Sequence, residues 1–248
     1  MAAQDHSSTW THSLEEDVEP ASAANPSKAC WYRAHVALRA DLTAMAGMLE
    51  LFTKQVDGNK AITREQAAAA DKYVTTTMKF LHHHHANEDD IATPYLSTRF
   101  NMDEKICADH KRLETLMEAY SGGMKKLLAS TDLQEQRTLL AGVKATFAEL
   151  DPLCRQHFQE EETVAMPLMR KHFTLQEIEK NVVAKILRGM GPDDVGDYFR
   201  TLSKEEFRSF AKQEHIPFFI RWILQWQVAK YKKNIWQPFE QQCLTAAH

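Results

Sequence analysis

His84, Glu88 and Pro94 stand at offsets of 0, 4 and 10 residues, and His157, Glu161 and Pro167 repeat those offsets. Residues four apart on an α-helix share one face. Each segment therefore offers an imidazole nitrogen and a carboxylate oxygen in the same direction. Two such helices facing one another make a symmetric His/Glu nest, the construction of di-iron and di-manganese sites within helical bundles.

The repeat extends further. His35 precedes His84 by 49 residues and His110 precedes His157 by 47. A helix pair used twice thus supplies a lone histidine and a His-x3-Glu each time, giving His35, His84, Glu88, His110, His157 and Glu161 as candidate metal ligands. Imidazole with carboxylate suits iron, manganese or zinc rather than calcium or magnesium. Six ligands exceed the four a single zinc wants, so two metals fit better. Two octahedral ions need about twelve ligand positions. Four histidines, two bridging glutamates and a bridging oxo or hydroxo group leave about two positions open for a small ligand.

Neighbouring residues are sorted by the same geometry. Successive helical residues point about 100° apart, so His82 to His85 cannot all face inward. Only His84 has Glu88 at i+4, which leaves His82, His83 and His85 as surface or outer residues. By the same rule Glu161 is selected from Glu160–Glu162, and Asp89 and Asp90 read as a solvated face. Glu114, at i+4 from His110, is a further ligand or a base. His172 and His215 lack such a partner, and Cys107 and Cys154 read as small buried residues.

The elements needed to hold this set are helical. Apolar positions at Trp31, Val36, Leu38, Leu42, Met45, Leu49 and Phe52 mark a first helix ending near Asp57-Gly58. Thr63 with Gln66 forms a capping box for a second, which Pro94 closes or bends. A third runs from about Asp103 to Leu128, weakened at Gly122-Gly123, and a fourth starts near Leu133 with an interruption at Asp151-Pro152. Four long helices with short connections predict an all-α, up-down-up-down four-helix bundle over residues 28–172. Residues 1–27 are small, polar and acidic and read as a disordered tail. Residues 173–248 read as a C-terminal helical extension, whose last amphipathic helix packs on the bundle.

Composition narrows the function classes. Among 248 residues, 8 glycines and 8 prolines are too few for a turn-rich β protein. A net charge of −4 gives no electrostatic footprint for nucleic acid. The four cysteines make no CxxC pair, which argues against a zinc ribbon or a disulfide framework. No secretory signal or membrane span is visible, so a cytoplasmic protein is expected.

The order His, His-x3-Glu, His, His-x3-Glu, with a proline six residues past each glutamate, resembles the hemerythrin-like HHE cation-binding family. The family's usual wording, H-H-x-x-E-E-E-x-L-F-P, stands here as HHANEDDIATP and HFQEEETVAMP, and the resemblance covers roughly residues 29–172. It implies two iron ions in a carboxylate-bridged centre, ahead of manganese or zinc. Oxygen-carrying hemerythrins have a second histidine where Glu114 stands, and end the fourth-helix motif as His-x4-Asp. These departures make the chain look more like the branch associated with iron sensing, iron handling or nitrosative stress.

Three functions follow as expectations. The first is a di-iron module that binds oxygen or nitric oxide, or reports on iron. The second is an enzyme that consumes peroxide or nitric oxide or oxidises iron, with Glu114 as proton relay. The third is an interaction protein using residues 216–242, where Phe218, Phe219, Trp222 and Trp226 alternate with basic residues.

Overall fold

The computed structural model describes residues 30–213 and 216–245, with the backbone alone at 30, 107 and 213. The tail read over residues 1–27, the Cys107 side chain and His215 lie outside the described residues. Those described are helical, with no strand among them.

Four long helices come first: α1 (Cys30–Asp57), α2 (Arg64–Asn87), α3 (Glu104–Ala129) and α4 (Leu133–Glu160). In α1, Leu38, Leu42, Met45, Leu49 and Phe52 recur every three or four residues and are all buried. The turn after it runs through Asn59 at φ 59°, a left-handed conformation that asparagine tolerates. The capping box at α2 forms as expected: Thr63 Oγ1 accepts from the Gln66 backbone N–H at 3.2 Å, and Gln66 Oε1 accepts from the Thr63 N–H at 3.0 Å. Asp103 and Asp132 cap α3 and α4 more simply, each carboxylate accepting one backbone N–H, from Lys105 and Glu135.

Neither expected interruption breaks its helix. α3 continues through Gly122-Gly123, and a Cβ on Gly123 would lie 3.0 Å from Val143 Cγ2 of α4, so the missing side chain lets the two helices close. α4 runs through Pro152, because Phe147, Leu150, Cys154 and Phe158 anchor both sides of it in the core. The four helices touch in a ring, each packing on two of the others: α1 on α2 and α4, and α3 on α2 and α4.

The chain then forms shorter helices. The segment from Leu175 to Gly189 lies against one end of the four helices, where Ala92, Leu96, Met169, Phe173, Ile178 and Val182 make a small buried cluster. Helices α5 (Pro192–Arg200), α6 (Lys204–Gln213) and α7 (Phe218–Tyr231) follow, and the last turns run on to Leu244. Residues read as an appendage share the main core, for Tyr198, Phe210, Tyr231 and Phe239 are buried in one cluster with Leu42, Met45 and Tyr73. Gly196 makes this possible, since a Cβ there would meet Tyr231 Cβ at 2.4 Å.

A polar knot sits in the same interface. The Arg200 guanidinium pairs with Asp41 of α1, donates to Asp197 Oδ1 at 2.9 Å, and lies over the Trp236 ring at 4.3 Å. Tyr73 donates to Asp41 at 2.6 Å. Burial, with the Asp41 carboxylate nearby, pushes Asp197 well above the ordinary aspartate range.

The expectation that the last amphipathic helix packs on the body is corrected for one face. Tyr231 and Ile235 are buried, whereas Phe218 is 82 % exposed, Trp222 69 % and Trp226 57 %. A helix with apolar side chains all round buries only the side that meets the core. No helix among the described residues is long and apolar enough to cross a membrane.

Candidate metal centre

The two prolines of the repeat do the same thing twice. Pro94 and Pro167 have no N–H to bond the carbonyl four residues back. The helix widens just before each, into a π-helical turn over Glu88–Ala92 and over Glu161–Ala165. Thr93 and Met166 accordingly bond carbonyls five residues back, those of Glu88 and Glu161. Each widened turn starts on the glutamate of its His-x3-Glu motif.

The starts of α1 and α3 and the ends of α2 and α4 meet here. Two groups of potential ligand atoms each lie within 4.8 Å of one another: His35, His84, Glu88 and Glu161 in one, His85, Glu88, His110 and His157 in the other, all buried. Glu88 belongs to both groups, and Glu161 of the first also reaches towards His157 of the second. Glu88 places Oε1 3.1 Å from His84 Nε2 and Oε2 3.5 Å from His110 Nε2. Glu161 places Oε2 3.1 Å from His35 Nε2 and Oε1 3.6 Å from His157 Nε2. His110 Nε2 and His157 Nε2 are 3.0 Å apart, about the edge of an octahedron with bonds of about 2.1 Å.

The donor set fits a metal. His35 Nε2, His84 Nε2, His85 Nε2, both Glu88 oxygens and Glu161 Oε2 are buried without a hydrogen-bond partner. Such atoms are costly to bury unless something coordinates them.

A surrounding layer is repeated as well. His35 Nδ1 lies 2.7 Å from Glu162 Oε1, and His110 Nδ1 lies 2.8 Å from Asp89 Oδ1. Glu162 and Asp89 each directly follow a spanning glutamate. A carboxylate on Nδ1 fixes the tautomer that leaves Nε2 free for a metal. Arg39 donates to both oxygens of Glu162, at 2.7 and 3.0 Å. The ring after each motif histidine also recurs: His85 stacks on His110 at 4.8 Å and Phe158 on His35 at 4.6 Å.

Electrostatics follow from burial. Desolvation drives His84 and His85 well below their ordinary 6.5, and lowers His157, so these imidazoles are neutral as a metal requires. Burial, then the Glu161 charge, raises Glu88 well above the ordinary glutamate range. For His35, burial acts downward, but Glu161 and Glu162 outweigh it and the group is raised.

All six sequence-chosen residues are in the two groups. Glu114 is not: it pairs with His82 at 3.2 Å, and both side chains are 54 % exposed. His85 belongs to the second group, and Glu162 and Asp89 hold the lone histidines, whereas helical spacing places His85 at the surface or in an outer layer and the two carboxylates on a solvated face. Glu88 lies at i+3 from His85, a spacing that shares a helix face as i+4 does. Cys154 is buried, and burial pushes its thiol up to about 12. His172 lies against Phe100, away from both groups.

No curated protein and no solved structure gives a match to this chain. Among protein families, the Hemerythrin HHE cation binding domain matches residues 29–169, more than half of the chain and every residue of both ligand groups. Ligand order, doubled geometry and this match converge, and the chain belongs to the hemerythrin HHE cation-binding family.

Proposed function

We propose that this chain is a non-haem di-iron protein whose up-down-up-down four-helix bundle holds a carboxylate-bridged centre. It binds oxygen or nitric oxide, or reports on iron, within the cell. The observation that carries this reading is the spanning of both histidine sets by Glu88 and Glu161. Iron held there would supply coordination positions for a diatomic ligand. His35, His84 and Glu161 with Glu88 would hold one ion; His85, His110 and His157 with Glu88 would hold the other. Glu162 and Asp89 keep the lone histidines turned inward.

Anaerobic loading of the purified protein with ferrous iron, followed by metal analysis and a near-ultraviolet spectrum after oxygen exposure, tests it. Two irons per chain with an oxo-to-iron band are expected. A chain that retains no iron would sink the reading. The enzymatic alternative loses its motivating group, since Glu114 is exposed and paired with His82.

A second reading is favoured by the exposed Phe218, Phe219, Trp222, Ile223 and Trp226 on α7. Residues 216–242 would present them to a protein partner. Loss of a co-purifying partner on Trp222→Ser, with iron binding unchanged, is the test.

A further inference from the structure

A cavity of about 220 Å³ adjoins the first ligand group, bounded by His84 and Glu88 on one side. A diatomic ligand needs about the room of one water, roughly 30 Å³. The cavity is therefore several times too large for the ligands proposed above. Its walls are mainly apolar: Trp31, Phe80 and Met169 from the helical body, and Ile178, Val182 and Met190 from the segment laid over it. That segment is held down by the buried contacts of Ile178 and Val182 with Leu96 and Phe173, so the roof is packed in place.

Size and lining limit the occupant. A cavity of about 150 Å³ takes a benzene, so one of this volume takes roughly nine non-hydrogen atoms. The polar groups in the wall are fewer than the apolar ones, and the carboxylates among them are Glu88, Glu179 and Asp194. Of the two histidines in the wall, His84 belongs to the ligand group, and His83 has its Nδ1 3.0 Å from Asp194 Oδ2 and is already engaged. No lysine or arginine lines the space. A carboxylate or phosphate head would be desolvated beside carboxylates with no lysine or arginine to pair with. A hydroxyl can donate to them.

We infer that this cavity binds a neutral organic molecule of about nine non-hydrogen atoms, apolar in body with a hydroxyl head, next to His84 and Glu88. This deepens the proposed function by giving the metal centre an organic ligand beside it. The preference for a neutral over a charged head rests on that reading, in which the wall carboxylates act against an anion and two metal ions act against a cation.

The probe is 4-ethylphenol, with benzoate as an anion of equal size, titrated into the full chain labelled at its methionine methyl groups. Met169 and Met190 line the cavity, whereas Met45 and Met124 are buried elsewhere in the core. Saturable shifts confined to the Met169 and Met190 methyls are expected, with benzoate weaker by about tenfold or more. Val182→Trp fills the space and should abolish the shifts. Ile186→Trp, at a less buried wall position, repeats the test should the first variant fold poorly. No saturable shift in the native chain, equal binding of benzoate, or shifts that persist in a folded filled variant would each overturn the inference. Metal analysis on the same sample separates the two claims. Two irons without phenol binding removes this inference alone, and phenol binding by a chain that holds no iron removes the metal reading.

Discussion

His35 Nδ1 and Glu162 Oε1 lie 2.7 Å apart, both side chains buried, with Arg39 donating to both oxygens of the same carboxylate. This pair orients the lone histidine of the first half, as Asp89 orients His110 in the second. Such outer partners are worth about 10- to 100-fold in metal affinity. Glu162→Gln keeps the shape and removes the charge. It should weaken iron binding by about that factor with helix content unchanged, measured by competition with a chelator. Asp89→Asn should cost less, because half of that side chain faces water.

His85 and Glu114 exchange the roles expected of them. Replacing His85 with phenylalanine, the residue at the matching place in the second half, should leave the ring stack on His110 and take away a donor atom. Iron should fall from two per chain towards one. Glu114→Ala should leave it at two. Unchanged iron content in His85→Phe would remove this residue from the ligand set.

Metal-free protein should respond to acid through the buried histidines. His85 is held well below 6.5 by burial, so below that pH the unfolded chain takes up a proton that the native chain refuses. Stability is lost as pH falls from about 6.5 towards the depressed native value. Each such histidine contributes at most about 1.4 kcal/mol per pH unit, and about 1 kcal/mol between pH 6.5 and 5.5. Urea unfolding between pH 6.5 and 5.5 should show His85→Gln less steep than the native chain by about that amount. Parallel slopes for the two would contradict the assignment of a neutral buried imidazole.

Arg200 ties the C-terminal helices to α1 through Asp41 and Asp197. Arg200→Met leaves two buried carboxylates without their cation and should cost about 3–5 kcal/mol. The urea midpoint reports it, and unchanged iron stoichiometry in the native buffer shows that the loss is not one of ligands. A chain ended after residue 173 should aggregate, since it would bare the core surface now covered by Tyr198, Phe210 and Phe239.

Much of this was legible in the residues, and the gaps have physical causes. The four long helices and the capping box at Thr63 came from apolar period and local hydrogen-bond chemistry, which act over a few residues. Symmetry with the second half points His85 to the surface or an outer layer, because Phe158 occupies the matching place there and does the stacking without the nitrogen. Glu162 and Asp89 were set aside because an ideal helix turns about 100° per residue. The widened turns that begin at Glu161 and Glu88 break that rule locally. Gly122-Gly123 and Pro152 looked like breaks because propensity is local, whereas the packing that carries both helices through is tertiary. Short helices of about ten residues show too little period to reveal that Tyr198 and Phe210 reach the main core.

The widened turns also set the helix's phase. In an undisturbed helix the residue eight past Glu88 would point about 80° away from it. A π turn absorbs one residue, so the count of eight behaves like a count of seven, and the deviation shrinks to about 20°. Leu96 is eight past Glu88 and Met169 is eight past Glu161, and both are buried in the apolar cluster at the end of the helical body. The spacing is an octad where a heptad would otherwise be expected. It keeps ligand and apolar seal in line along one strip of each helix. A one-residue deletion between Glu88 and Pro94 would restore ordinary winding and bring the next leucine to the strip at position seven. Insertions there would rotate the seal away while leaving the ligands in place.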